Sequence, residues 1–376
     1  MRLLDRYLLR ELLLPLAFCL VGFLICVIAF DLFGSLAEYQ RKELTAGDLV
    51  EFYVDRAPEF LVSNYIVPMS LLLGLLYSLT NHGRHNELTA MRAAGIPLWR
   101  ITVPYFAVGV LLSLLVFWVN EKWLPEGADA ADQVLTRHAV DQPKTVEKIW
   151  KRNVFFLNPI ANRTWRIGAY NMRANVMWKP QFDWRREDGT RVQLAADNAL
   201  WINRHWVFTN NVERLDYGAD VGALPSISKT NQLVFAELTE TPRIIRSEIK
   251  ITALEGLRAL RKTQLSSAEI REYLKLHPRL ERQKSAMLRT TLHTRLATPW
   301  ICFVVVLIAV PFGAAPGRRN VFVGVASSIF ICFVFFITKE LTLALGGSGY
   351  VAPWIAAWSP HVLFGATGIG MMWRVR

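Results

Sequence analysis

The sequence predicts a helical membrane protein, with six transmembrane helices arranged 3+3 and an antiparallel β domain inserted between the two groups. Two observations predict this class. Hydrophobic residues make up 52% of the 376 residues and the mean hydropathy is +0.24, which is more apolar than a soluble domain needs. In addition, long apolar runs lie near both ends of the chain, on either side of a polar middle.

Six apolar runs are long enough to cross about 30 Å of hydrocarbon. They are Leu12–Phe33, Pro58–Leu79, Ile101–Val119, Leu296–Phe312, Val321–Leu345 and Val351–Trp373. We expect the first run to be a retained anchor, because a signal peptide has a shorter apolar core and a small-residue cleavage site. The predicted domains are therefore three spans in 1–120, a polar domain in 121–290, and three spans in 291–376.

The short loops predict the orientation of these spans. Basic residues occur at the N-terminus, between spans two and three, between spans four and five, and in the tail: Arg2, Arg6, Arg10, Arg84, Arg92, Arg100, Arg318, Arg319, Arg374 and Arg376. Six spans place these four segments on one side, which the positive-inside rule identifies as the cytoplasm. The opposite loops, 34–57 and 346–349, carry more acids than bases or no charge. The polar domain is then extracytoplasmic.

The net charge of +12 fits cytoplasmic loops and anionic lipid, and we expect no nucleic-acid partner. All four cysteines lie in apolar runs: Cys19, Cys26, Cys302 and Cys332. The polar middle therefore has no disulfide framework.

The polar middle reads as strands over 146–248, in short runs rich in Val, Trp, Phe, Tyr and Thr. Asp188-Gly189 predicts one hairpin turn, and Asn203 with Arg204 predicts another between Trp201 and Trp206. Several short strands without crossover helices indicate an antiparallel sandwich or jelly roll, a β-jellyroll-like domain. Further along, Ser266 and Glu269 form a capping-box pattern that starts a helix.

We find no catalytic, cofactor or metal site in the sequence. The patterns GxxxxGK[ST], GxSxG and HExxH are all missing, so any ATP and Mg²⁺ would have to be bound by another subunit. His82 and His85 are three residues apart, but no third ligand is evident, which favours an interfacial loop over a metal site. The Glu187-Asp188 pair falls in a predicted turn, where a solvated turn is the simpler interpretation.

The stretch 81–100 lies between two predicted spans and contains a short helical pattern over about 86–95. Asn86 can cap a helix, Glu87 falls in its first turn, and Gly95 followed by Pro97 predicts its end. A helix this short is marginal in water. It is either a connecting turn on the headgroups or a segment that docks against a partner.

Five segments of the chain carry a recognisable pattern. One is Glu87-Leu88, six further residues, and then Gly95-Ile96 before Arg100. The others are LDRYLLREL (4–12), WINRHWVFTNNVERLDY (201–217), HTRLATPW with VPFG (293–313) and GSGYVAPWIAAWSPHVLF (347–364). Together they resemble the LptF/LptG family, the paired permease subunits of the ABC transporter that extracts lipopolysaccharide from the inner membrane, and the first resembles that family's coupling helix. The opening LDRY favours the LptG type.

The resemblance implies a mechanism and a set of partners. These are a paralogous permease subunit forming a heterodimer, a cytoplasmic LptB-type ATPase dimer, LptC/LptA-type periplasmic bridge proteins, and lipopolysaccharide itself. Glu87 would pair with a basic residue of the ATPase, and Leu88 and Met91 would fill an apolar groove in it. Arg92 either joins this contact or faces headgroups, while Gly95 ends the helix. The implied location is the inner membrane, with the β-jellyroll in the periplasm.

Charged residues in the spans suggest where a lipid would bind, because burying a charge in lipid is costly. Asp31 lies near the outer end of span one, and Lys339 and Glu340 lie near the outer end of span five. They either snorkel or pair locally, or they line the lipid cavity that the resemblance implies. In the second case Arg41, Lys42 and Lys339 offer positive charge to lipid A phosphates.

Three further interpretations stay open at this point. The chain could relay ATP-driven motion to its outer domain without moving lipid, as a mechanotransmission subunit. It could instead be a membrane-anchored sensor or envelope enzyme, although six spans exceed what an anchor needs. The β domain could carry lipid by extending a partner's sheet, or it could only dock partners.

Overall fold

A computed structural model describes residues 3–63, 65–135, 137, 149–218, 224–252, 265–313 and 321–374. The chain divides into two compact units. Unit 1 comprises Met1–Leu135 and Arg282–Arg376, and unit 2 comprises Thr136–Glu281. The predicted basic loop with Arg318 and Arg319 lies outside the described residues.

Unit 1 is helical. Its helices are α1 (Leu3–Arg41), α2 (Ala46–Ser63), α3 (Ile66–Arg84), α4 (Glu87–Ala93), α5 (Leu98–Trp118), α6 (Leu124–Leu135), α9 (Arg282–Ala297), α10 (Ile301–Gly313), α11 (Val321–Gly347) and α12 (Pro353–Arg374). A π-helical turn, Val119–Trp123, joins α5 to α6, and a 3₁₀ turn, Thr298–Trp300, joins α9 to α10.

Within the described residues, four helices are long and apolar enough to cross a membrane: Leu3–Arg41, Leu98–Leu135, Arg282–Gly313 and Ala326–Gly347. A fifth is possible if α2 and α3, which are bent by 62° at a short break, form one span. The predicted sixth span corresponds to α12, whose hydropathy is lowered by Pro360, His361 and several glycines. The described residues thus combine four or five membrane-length apolar helices with an inserted antiparallel sheet domain. This confirms the predicted class of a helical membrane protein with an inserted β domain, while the count of six spans stays a prediction.

The predicted second span is not one straight helix. Its residues belong to α2, which ends at Ser63, and to α3, which begins at Ile66. Tyr65 between them has a φ of 56°, which a continuous right-handed helix does not allow. The predicted connection 34–57 is largely helical, because α1 continues to Arg41 and α2 begins at Ala46. Thr45 starts α2 through reciprocal bonds with Asp48, a capping arrangement that the sequence reading missed.

The core of unit 1 is built around α10, in which all residues from Val304 to Pro311 are buried. Glycines let neighbouring helices approach it closely. A Cβ at Gly109 of α5 would lie 2.8 Å from Val306 Cγ2, and one at Gly368 of α12 would lie 2.8 Å from the Leu307 carbonyl oxygen. Such close approach gives the van der Waals contact on which helix association in lipid depends.

A reciprocal pair of hydrogen bonds joins the π-helical turn to α9. The Asn120 side chain donates to the Arg295 carbonyl at 3.2 Å, and Arg295 donates to the Asn120 carbonyl at 2.8 Å. Both residues are buried. The wide π turn frees a carbonyl from the helix ladder, and Arg295 satisfies it.

The described residues of unit 2 form a sheet of seven antiparallel strands and two helices. The elements are β1 (Trp150–Asn158), β2 (Arg163–Asn171), β3 (Val176–Arg185), β4 (Arg191–Ala195), β5 (Asn198–Ile202), β6 (His205–Tyr217), β7 (Ser226–Phe235), α7 (Pro242–Thr252) and α8 (Ser267–Leu276). Both β4 and β5 lie between β3 and β6, one after the other, so the strands follow each other across the sheet in chain order. The predicted capping box of Ser266 and Glu269 begins α8.

Both predicted hairpins are present. Ile202 pairs with His205, and the two turn residues, Asn203 and Arg204, have φ values of 50° and 66°. Positive φ at both positions is the type I′ turn that suits the twist of a hairpin. The second turn joins β3 to β4 through Gly189, whose φ is 83°.

A line of irregular positions crosses the sheet. Asn153 in β1 and Lys179 in β3 have φ values of 52° and 49°, and Asn210 and Asn211 in β6 have 61° and 47°. Between them, Lys179 donates to the carbonyl of Asp197, and Asp197 donates to that of Asn210. In β3, a residue with an even number, Phe182, is buried on one side of this line, and a residue with an odd number, Met177, is buried on the other. The strand therefore exchanges the face that it turns to the core. Residues in the left-handed region bend strands, so the sheet bends along one transverse line.

The core of unit 2 is aromatic, with Trp165, Phe182, Trp206 and Phe208 buried in one cluster with Ile245 of α7. One buried ion pair lies beside it: Arg163 donates to Glu240 at 2.8 Å, and Asn158 donates to the second Glu240 oxygen at 2.7 Å. Because both carboxylate oxygens are satisfied, this buried charge is tolerated.

We expect Gly368→Ala to lower the midpoint of thermal unfolding, because its new methyl group meets the backbone of Leu307 in α10. Overpacking of this kind costs about 1–3 kcal/mol. The matched control is Gly370→Ala two residues on, where a Cβ meets nothing within 4 Å. Thermal unfolding of the detergent-solubilised chain, followed by tryptophan fluorescence, measures both. Equal midpoints for the two variants would contradict the close packing of α10 and α12.

Candidate functional site

The predicted coupling helix is present as α4, which is seven residues long and runs from Glu87 to Ala93. Its end is a Schellman motif: Ile96 N–H donates to the Met91 carbonyl and Gly95 N–H to that of Arg92, and the φ of Gly95 is 81°. The predicted cap by Asn86 is wrong. Asn86 occupies the capping position with a φ of 57°, but its side chain makes no capping bond.

Leu88 anchors α4 to the rest of unit 1. It is 6% exposed and belongs to the hydrophobic core, against which Met91 and Ile96 also pack. In this conformation Leu88 is packed within unit 1, and its place in an ATPase groove, which the resemblance implies, stays a prediction. The exposed side chains of α4 are Thr89, Ala90 and Ala93, and Arg92 is partly exposed.

Glu87 is the centre of a polar cluster at the start of α4. Its carboxylate accepts hydrogen bonds from the Tyr7 hydroxyl at 3.0 and 3.1 Å and lies 2.6 Å from His82 Nδ1. Burial raises the pKa of the Glu87 carboxyl, but the bonds from His82 and Tyr7 outweigh it and hold the pKa below its usual value. Glu87 therefore stays ionised, and it links α4 to α1 and α3.

Asp31 lies in a second polar cluster, formed with α2. Its carboxylate accepts from Tyr39 and Tyr53, each at 3.1 Å, and from Arg56 at 3.2 Å. Arg56 also donates to Glu59 at 2.9 Å. The predicted cavity residue is thus part of a local ion-pair network, which is how a charge at the edge of an apolar helix is tolerated.

Lys339 and Glu340 meet the break between α2 and α3. The Lys339 ammonium donates to the Tyr65 hydroxyl at 2.7 Å and lies 4.4 Å from the centre of its ring. The same hydroxyl donates to Glu340 at 3.1 Å. Lys339 is 2% exposed, so in this conformation its charge is directed into the protein.

The remaining predicted residues are spread over the chain. Arg41 is exposed at the end of α1, and Lys42 pairs with Glu38 at 2.6 Å. Asp188 accepts two hydrogen bonds from Thr190, which lower its pKa as in an ordinary turn. Among the residues that the structure describes, no three His, Cys, Asp or Glu side chains lie close enough to hold a metal ion.

A comparison with protein-family models matches residues 6–374 to the family described as "Lipopolysaccharide export system permease LptF/LptG". The chain belongs to the LptF/LptG family. A comparison with individually curated proteins gave no significant match. The LptF/LptG match covers nearly the whole chain, so the resemblance inferred from the five segments is confirmed, although the preference for the LptG type is not resolved.

LptF/LptG proteins are permeases, so the chain is a membrane subunit of a transporter rather than an enzyme. The family supports a role in lipopolysaccharide export, and it accounts for the combination of apolar helices with an inserted sheet. The fold and the permease assignment therefore agree with the sequence predictions.

Sequence reasoning missed several residues of these clusters. Tyr7, 80 residues away in the sequence, and His82, five residues away, hydrogen-bond to Glu87. Tyr65 accepts a hydrogen bond from Lys339, which is 274 residues away. Tyr7 lies in the LDRY segment, whose polar residues at the start of an apolar helix could have suggested a partner. Tyr65 gave no such signal, because one tyrosine in an apolar run is common in a membrane interface.

We expect Tyr65→Phe to destabilise unit 1 by about 1–3 kcal/mol, since the buried Lys339 ammonium and Glu340 each lose one hydrogen-bond partner. Tyr350→Phe makes the same change at a residue that is 83% exposed and serves as the control. Thermal unfolding in detergent compares the two. The Lys339 contact would be unimportant if both variants unfolded at the wild-type temperature.

Proposed function

We propose that this LptF/LptG protein is the permease subunit of an ABC transporter that extracts lipopolysaccharide from the inner membrane and passes it to a periplasmic bridge. The family match over 6–374 carries this proposal. The sequence lacks a phosphate-binding loop, which supports ATP and Mg²⁺ being bound by a separate LptB-type ATPase dimer. A paralogous or identical second permease would complete the lipid cavity.

The topology of the proposal follows the distribution of basic residues. The N- and C-termini and α4 lie on the cytoplasmic side of the inner membrane, and unit 2 lies in the periplasm. Arg84, Arg92 and Arg100 are near α4, where the positive-inside rule places basic residues. On this assignment α4 is accessible to a cytoplasmic ATPase.

The ATPase contacts the exposed side of α4. Leu88 and Met91 hold the helix on the core, while Ala90 and Ala93, three residues apart, share one exposed face. Glu87 is 34% exposed at its side chain. A carboxylate has about four acceptor positions, so Glu87 can accept from a basic ATPase residue while keeping Tyr7 and His82. Arg92 adds a charge to the same surface, and Gly95 permits the turn into α5.

Lipid contacts α1 along its apolar surface. Phe18, Ile25, Phe30 and Phe33 are between 61% and 81% exposed, as expected of a helix facing acyl chains or a second subunit. At its end, Arg41 and Lys42 offer charge to lipid phosphates, and Asp31 positions α2 beside α1. Lys339 and Glu340 become available to lipid only if their hydrogen bonds to the Tyr65 hydroxyl are broken.

Unit 2 joins the bridge through a sheet edge. Among the described strands, β1 and β7 each pair on one side only, and nearly every residue of β7 is exposed. An exposed edge can accept a partner's strand, which suits LptC/LptA-type proteins and would continue the sheet across the periplasm.

Photocrosslinking tests the proposal. A photoreactive residue replaces Phe30 in α1 or Val234 in β7, which are 81% and 54% exposed, and Trp99, 56% exposed, is the control. We expect ATP-dependent lipopolysaccharide adducts at Phe30 and Val234 and none at Trp99. Adducts at Phe30 alone would contradict the part of the proposal in which unit 2 hands lipid to the bridge. Adducts at neither position would overturn the proposal in favour of a mechanotransmission subunit that moves no lipid.

We expect Ala90→Arg to reduce co-purification of the ATPase by about tenfold or more, because it places a long charged side chain in a close-packed contact. The control is Ala37→Arg, at an exposed position of α1 outside the proposed contact. Pull-down through the tagged permease measures both. Equal recovery of the ATPase would show that this face of α4 is not the docking surface.

A further inference from the structure

The N-terminal turns of α1 are fastened to the segment that contains α4 by two contacts from distant parts of the sequence. Asp5 accepts two hydrogen bonds from Arg100, at 2.8 and 3.0 Å. Two residues later, the Tyr7 hydroxyl donates to both oxygens of Glu87. We name Asp5, Tyr7, Glu87 and Arg100 the α1 clasp.

The two contacts restrain α1 in different directions. Residues two apart on a helix point to different sides of its axis, so Asp5 holds α1 to the start of α5 while Tyr7 holds it to the start of α4. The Asp5 and Arg100 side chains are only 14% and 24% exposed, and a bidentate arginine contact fixes orientation as well as distance. The clasp therefore restrains both sliding and rotation of α1.

Beyond these turns, few residues of α1 are buried within the chain. The buried residues of α1 are Leu8, Leu12 and Leu16 near the clasp and Tyr39 at the far end. Of the residues in the most apolar part of the helix, 11% are buried. A displacement of its N-terminal turns is thus opposed by little packing along the middle of the helix.

We propose that Asp5 and Tyr7 are positioning residues that carry a displacement of α4 directly to α1. This inference rests on the proposed function, in which an ATPase displaces α4. Because Glu87 is the first residue of α4 and Arg100 lies in the first turn of α5, shortly after α4 ends at Ala93, the clasp moves with α4. The helix that faces the lipid then responds to ATP hydrolysis without an intermediate helix.

Charge exchange tests the clasp in the full permease with its ATPase, reconstituted in vesicles that contain lipopolysaccharide. We expect Asp5→Arg and Arg100→Asp each to lower lipid released per ATP hydrolysed by about tenfold, while the ATPase stays bound. The double variant should recover to within about twofold of wild type. Tyr7→Phe should lose about threefold. Arg6→Ala, an exposed neighbour on the same turn, is the control and should behave as wild type.

A distance measurement provides a readout that does not depend on lipid release. Spin labels at Phe18→Cys in α1 and Thr89→Cys in α4, both exposed, are placed in a chain whose four native cysteines are replaced by alanine. We expect the same distance with and without ATP in the otherwise wild-type chain, and a distance that changes with ATP when Asp5→Arg is added.

Several results would overturn the clasp. They are single variants that export normally, a double variant no better than the single ones, loss of the ATPase from the single variants, or a label distance that already changes in the wild-type chain. A wild-type permease that hydrolyses ATP without releasing lipid would count against the proposed function instead, and the label distances would still decide the inference.

Discussion

Close contact between helix backbones is the constraint on which unit 1 depends, because lipid solvates an apolar side chain as well as a neighbouring helix does. The helix α10 satisfies this constraint best. The span that contains it is 67% buried, against 11% for α1, and Gly109 and Gly368 bring α5 and α12 against it. The other helices are arranged around α10, and α1 lies at the periphery.

The peripheral elements are held by directional polar contacts instead. Asp31 joins α1 to α2 through Arg56, and Lys339 joins α11 to the break at Tyr65. In a low dielectric such contacts are strong when complete and costly when broken, so they select particular arrangements of loosely packed helices. A transporter needs a rigid centre and an edge that can change, and this division of contacts supplies both.

The sequence predicted the parts of the fold that depend on local signals. The apolar runs, the type I′ turn at Asn203 and the stop at Gly95 each follow from the chemistry of a few adjacent residues. It did not predict the break at Tyr65, because Ser63, Asn64 and Pro68 are weak signals within a run that is apolar on both sides. At this position the Tyr65 hydroxyl contacts Lys339, a residue far along the chain that local signals could not reveal.

The sequence predicted where the short helix of the candidate site lies, but not which of its side chains are buried. The short helix, Glu87 and Gly95 were recognised from their spacing, whereas the burial of Leu88 depends on how α4 packs. The same limit applies to Asp31 and Lys339, which were identified as unusual charges in apolar runs. Their partners Arg56 and Tyr65 are brought to them only by the fold.

The transverse bend of the sheet in unit 2 also determines strand register. Asn153, Lys179 and Asn210 lie at the same level of their strands, so a slip of one residue in any strand would move its left-handed position out of line and turn its aromatic side chains outwards. The bend thus distinguishes the native pairing from neighbouring alternatives. A sheet aligned in this way can present an open edge to a partner strand while its own strands stay in register.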